Sequence, residues 1–161
     1  DVLVNNAGIL VVKPIDELTL EDFDRMVAVN VRGVFVASQE ALRHMGEGGR
    51  IVNIGSINTE SVPFAGGVLY VLTKAAVSGL TASLARDVGA RGITVNALLP
   101  GPVDTDMNPA VGAFADEARR RMVLGRYGTV AEIAGFVSYL TRPEAGWVTG
   151  SCLRIDGGYA V

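Results

Sequence analysis

Apolar residues recur along the chain in two alternating rhythms, short continuous runs and longer stretches with a period of about 3.6 residues. Val2-Leu3-Val4 is a continuous run ending at Asn5, which predicts a buried strand followed by a polar loop through Lys13-Pro14. Thr19 then stands where a helix N-cap belongs, with Glu21 and Asp22 in the first turn. Phe23, Met26, Val27, Val31, Val34 and Phe35 recur at helical spacing toward an end near Met45-Gly46. Arg50 to Ile54 predicts a second strand, Ser56 to Gly67 a polar loop, and Val68 to Val88 a helix closed by Gly89 and Gly92. Ile93 to Leu99 predicts a third strand, stopped by Pro100-Gly101-Pro102. Asp104 to Met122 reads as a helical excursion, Thr129 to Leu140 as a helix capped by Thr129 and Glu132, and Ser151 to Ile155 as a last strand. Strands alternating with helices predict an α/β domain with a mainly parallel sheet covered on both faces. No repeat, linker or low-complexity tract divides the chain, so one domain is expected.

Composition narrows the partners. A net charge of −3 and a pI near 5.1 leave no broad basic field, so nucleic acid is not expected. No apolar run approaches the ~20 residues that span a bilayer, and no charged-then-apolar leader precedes Asp1, so no membrane partner is expected. The single cysteine, Cys152, excludes an internal disulfide, suits a reducing, cytoplasmic setting, and is expected to be a small core residue. One His and one Cys cannot assemble a zinc cluster. His44, beside Arg43 near a helix end, is expected to be exposed, and no Gly-x-Ser-x-Gly elbow offers a hydrolase nucleophile. Arg119, Arg120 and Arg121 are consecutive on a helix and predict a solvated face.

Tyr70 and Lys74 stand four residues apart, fourteen after Ser56. On a helix they share a face, so the Lys74 ammonium is expected beside the Tyr70 phenol. A free tyrosine, with pKa of about 10, is protonated at neutral pH, and a neighbouring cation lowers that value toward the range where the phenol exchanges protons with an alcohol. Around this pair lie Asn5-Asn6-Ala7-Gly8, Val29-Asn30-Val31, Asn53-Ile54-Gly55-Ser56, Val95-Asn96, Pro100-Gly101-Pro102-Val103-Asp104-Thr105 and Ile155-Asp156-Gly157-Gly158. In this order they resemble the short-chain dehydrogenase/reductase family over essentially the whole chain.

The resemblance implies a doubly wound, mainly parallel (Rossmann-like) sheet, NAD or NADP as cofactor, and a small carbonyl/alcohol substrate. Tyr70 matches the family's proton donor, and Lys74 the residue that lowers the tyrosine pKa and holds the nicotinamide ribose. Ser56 matches the residue that hydrogen-bonds the substrate oxygen. It lies just past a strand end, whereas its rival Ser61 lies inside the loop. Asn30 matches the anchor of a proton-relay water, or is a satisfied amide that bends its helix. Asn6, Ala7 and Gly8 match a cofactor segment. Pro100, Gly101, Val103 and Thr105 match the segment at the nicotinamide carboxamide, with Thr105 otherwise a helix cap. The resemblance also implies a homodimer or homotetramer through the helices around 20–45 and 68–88.

The Gly-rich turn that follows the first strand of such a sheet is not found. Gly46-Glu47-Gly48-Gly49 follows a helix and precedes a strand, the reverse of the required order, and Gly66-Gly67 follows no clear strand. The sequence is therefore expected to be the C-terminal two-thirds of an enzyme, one whose short form binds dinucleotide weakly. The alternative is a catalytically incompetent fragment acting as an oligomerising module. Among the family's activities, 3-oxoacyl-[acyl-carrier-protein] reductase is the one such sequences suggest, but an acidic carrier needs a basic patch, and Glu47 with three glycines separates Arg43 from Arg50.

Overall fold

The computed structural model describes residues 1–161. Four strands, β1 (Val2–Asn5), β2 (Arg50–Ile54), β3 (Thr94–Pro100) and β4 (Cys152–Ile155), form one wholly parallel sheet in sequence order. Parallel neighbours require a crossover between them, and each pair is joined through helices. Between β1 and β2 run α1 (Leu20–Val27) and α2 (Gly33–His44); α3 (Val68–Val88) joins β2 to β3; α4 (Ala113–Arg121) and α5 (Val130–Leu140) join β3 to β4.

Side chains alternate across the strands, so the sheet feeds two cores. Ile51 and Val95 pack with Met45, Ala85 and Val88 of the α2–α3 layer, while Val52 and Leu98 pack with Leu140 and its neighbours on α5. A third cluster, Ile57, Leu99, Ala115, Ala118, Met122, Tyr127 and Tyr159, seats α4 against the sheet end. Capping boxes start α1 at Thr19/Asp22 and α5 at Thr129/Glu132.

Several expectations need correction. Within these 161 residues β1 stands at the sheet edge, and only one side of it is covered: Leu3 and Asn5 face the α2 layer, while Val2 and Val4 are half-exposed where the run predicted burial. The 20–45 helix is interrupted by one π-helical turn, Ala28–Arg32, and the residues it buries are Met26, Asn30, Val34 and Ser38, four apart. Phe23 and Phe35 sit off that line and stay exposed. Helix α4 covers only Ala113–Arg121, because Pro109 and Gly112, with φ +88°, hold the preceding segment in turns. Cys152 is exposed, on the outward side of β4. The stretch Val68–Arg91 is long and apolar enough by length and composition alone to cross a membrane. Here it buries Leu69, Thr73, Lys74, Val77, Thr81, Ala85 and Val88, as a core helix does. As expected, Arg119, Arg120 and Arg121 pair with Asp116 and Glu117 at the surface, and exposed His44 meets Glu40.

Candidate active site

Parallel strands bring their C-terminal ends to one edge, and the loops there open a cavity of about 1060 Å³. Asn6, Ala7 and Gly8 reach it after β1, Ser56 after β2, Pro100, Gly101, Val103 and Thr105 at and after the end of β3, and Tyr70 and Lys74 from the first turns of α3. Asn30 alone among the expected site residues does not line it.

Lys74 is 6% exposed and donates a hydrogen bond from Nζ to the Ile54 carbonyl at 2.8 Å. Its Nζ lies 5.8 Å from the centre of the Tyr70 ring, as the spacing implied. Burial pushes its pKa down to about 8. An ammonium has three donors, and one protein acceptor leaves two for a ligand.

The Tyr70 phenol does not follow the expected direction. Its pKa is held above the ordinary tyrosine value because burial penalises the phenolate; the nearby Ser56 hydroxyl pulls it partly back, although the two do not meet full hydrogen-bond geometry. Lys74, itself weakened by burial and engaged with Ile54, does not reverse this. Ser56 is buried, and its Oγ accepts from the Asn58 amide at 3.2 Å. Ser61 lies outside the cavity, its amide donating to the Ile57 carbonyl.

Asn30 stands directly behind the site. A Cβ on Gly8 would lie 3.4 Å from Lys74 Nζ and 3.5 Å from Asn30 Oδ1, so backbone passes close to both side chains. The Asn30 amide accepts from the Ile9 N–H at 2.8 Å and donates to the Ile9 carbonyl at 2.9 Å and to Thr73 Oγ1 at 3.0 Å. The Thr73 hydroxyl in turn donates to the Tyr70 carbonyl at 3.0 Å. The π-helical turn thus ties the loop after β1 to the turn of α3 that carries Tyr70. Below it, Asn5 Nδ2 donates to Ser38 Oγ and Asn53 Oδ1, and Asn53 Nδ2 donates to Thr81 Oγ1, joining both strands to both helices.

At the end of β3, Gly101 admits no side chain, since a Cβ there would come within 2.7 Å of Asp156 Cα. Thr105 caps a turn, its Oγ1 accepting from the Asn108 amide at 3.3 Å, and does not cap α4. Leu10, Val12, Phe64, Met107, Phe114 and Tyr159 also line the cavity and were not singled out from the sequence. The available signal was apolar residues placed in polar loops, outside any periodic stripe that would bury them.

Residues 1–160 match the family model described as enoyl-(acyl carrier protein) reductase. The cyclic-di-GMP-binding biofilm dispersal mediator protein of Escherichia coli is 46% identical over 159 residues, covering 99% of this chain and 67% of its own. A short-chain dehydrogenase/reductase from Serratia marcescens superposes with a TM-score of 0.98 at 58% identity, over 100% of this chain and 66% of its own. A short-chain dehydrogenase from Burkholderia cenocepacia, solved in complex with NADP, gives 0.98 at 53% identity with the same coverage. The chain belongs to the short-chain dehydrogenase/reductase family, a family of oxidoreductases. It spans about two-thirds of the length of these relatives.

Proposed function

We propose that the protein to which these residues belong is an NAD(P)-dependent oxidoreductase that interconverts a carbonyl compound and its alcohol. The observation that carries this reading is the convergence of Tyr70, Ser56 and the buried, under-partnered Lys74 on one cavity at the strand ends. The residues present fit the nicotinamide-ribose half of a dinucleotide: two Lys74 donors remain for ribose hydroxyls, and Asn6 to Gly8 and Pro100 to Thr105 offer backbone and small side chains for close approach. NADP in the Burkholderia relative supports that phosphorylated form without deciding between the two cofactors. When bound, the nicotinamide supplies or accepts the hydride.

In reduction, the Ser56 hydroxyl donates a hydrogen bond to the carbonyl oxygen, where negative charge develops. Tyr70, kept protonated by burial, gives its proton to that oxygen, and the alcohol leaves with both atoms accounted for. The charged form of Lys74 stabilises the phenolate left on Tyr70 after the proton is given up, and Asn30 holds the loop after β1 against the turn of α3 that carries Tyr70. The description of the matching family model points to an acyl-carrier substrate. The surface near Arg43 argues against it, since Arg43 is paired with Glu40 and Glu47 is exposed. Half-exposed Phe35 and Val36 on α2 and Val68 and Leu72 on α3 support a homodimer or homotetramer through these helices, which sedimentation of the full-length protein would check.

Replacing Tyr70 with Phe in the full-length protein is expected to lower carbonyl reduction by about 100-fold to 10,000-fold while nicotinamide binding, followed by fluorescence, changes little. Equal loss of binding and turnover would place Tyr70 in cofactor binding and leave the proton step to another group.

A further inference from the structure

The cavity is not uniform. Lys74 is its one ionised lining group, and that ammonium is held at the Ile54 carbonyl on the side of the sheet ends. Beyond Tyr70 the walls come from three segments: Leu10 and Val12 in the loop after β1, Phe64 in the loop before α3, and Met107 and Val111 before α4 with Phe114 in its first turn. Val12, Met107, Val111 and Phe114 are half-exposed or more, an apolar concentration rare on a surface unless something covers it.

Direct contacts join the walls that carry Val12, Phe64 and Phe114. The Lys13 amide donates to the Gly66 carbonyl at 3.1 Å, joining the first segment to the loop that carries Phe64. A Cβ on Gly67 would lie 2.8 Å from the Phe64 ring, so the ring packs closely against the start of α3. Phe114 meets Phe64 edge to face, ring centres 6.0 Å apart at 79°, while Ala115 and Ala118 on the other side of α4 are buried with Ile57 and Tyr159. The aromatic pair therefore spans from the loop after β2 to α4 as a roof over the substrate half.

We propose that this half selects an uncharged ketone or secondary alcohol with a ring-sized apolar group beside the reacting carbon, and that Phe64 and Phe114 determine that specificity. This rests on the carbonyl-reductase reading of the same cavity. No charged side chain lines that half, where Thr105 and Asn108 are the neutral polar groups, so a carboxylate or phosphate would enter it without a counter-ion. An aromatic ring would instead meet Phe64 and Phe114 and exclude water from the reacting oxygen.

The test compares acetophenone with 4-acetylbenzoate, the same ring carrying a carboxylate, and with 2-butanone. Turnover is measured on the full-length protein with NADPH and NADH; binding is measured by calorimetry on its full-length Tyr70→Phe variant, which separates recognition from chemistry. Acetophenone is expected to bind and turn over on the order of 100-fold better than 4-acetylbenzoate. Phe64→Leu and Phe114→Leu, which keep the apolar bulk needed for folding, are expected to shrink the preference for acetophenone over 2-butanone by roughly tenfold each. Selective binding without turnover supports the aryl-ketone pocket and overturns the reductase reading. Turnover that favours or tolerates the carboxylate, or binding of none of the three, overturns the pocket proposal.

Discussion

Lys74 is kept at a cost to folding. Its pKa of about 8 lies below the ordinary lysine value of 10.5 because the ammonium is buried. The unfolded chain binds more protons than the folded one between those values, so stability rises with pH across that window and the full cost stands below pH 8. The gap corresponds to roughly 3 kcal/mol. Lys74→Met is therefore expected to raise stability at pH 7 by up to about that amount, an advantage that shrinks above pH 8, while it weakens nicotinamide binding. Chemical denaturation at pH 7 and pH 9.5 checks it, and equal gains at both would mean that burial of charge is not what Lys74 suffers. The pairing of Tyr70 with Lys74 was legible because four residues on a helix fix a shared face. The direction of the Tyr70 pKa was not, because it depends on how much of the tertiary fold closes over the phenol.

Among the elements, those written in local chemistry were the legible ones. Val68–Val88 and Arg50–Ile54 stand where the pattern put them, and α5 starts at the Thr129/Glu132 box. Thr129→Ala is expected to destabilise by about 1 kcal/mol, read by urea denaturation of the full-length protein. The π-helical turn at Ala28–Arg32 was legible only as Asn30, a polar residue in an apolar stripe, because its form is set by tertiary bonds such as those from Asn30 to Ile9 and Thr73. Asn30→Ala would leave the Ile9 amide and carbonyl unpaired, a loss of about 2 to 3 kcal/mol. Its specific sign is faster hydrogen exchange at Ile9 than at the β3 amides; protection retained at Ile9 would show that another group holds the loop. The segment from Asp104 to Met122 is less helical than its apolar pattern implies, since Pro109 and Gly112 form turns and the apolar residues there serve the cavity.

At the scale of the molecule, the parallel α/β sheet was legible from the alternation of elements, and the exposed edge at β1 from the missing glycine turn, although the Val-Leu-Val run by itself reads alike in a central or an edge strand. These 161 residues alone present β1 as an open edge with Val2 and Val4 half-exposed. Expressed in that form they are expected to aggregate more readily than the full-length protein, as light scattering would show; equal solubility would mean that the β1 edge is protected in solution. The parts that serve the proposed chemistry come from four separate strand ends and helix turns, so they act only when the sheet edge is assembled. The most direct measurement mixes full-length protein with NADPH and a panel of ketones and follows nicotinamide fluorescence in wild type and Tyr70→Phe. The expected result is saturable binding in both and consumption of the reduced nicotinamide only in wild type. Consumption by Tyr70→Phe at the wild-type rate, or no binding by either, would contradict the assignment of this cavity as a nicotinamide-dependent carbonyl site with Tyr70 as its acid.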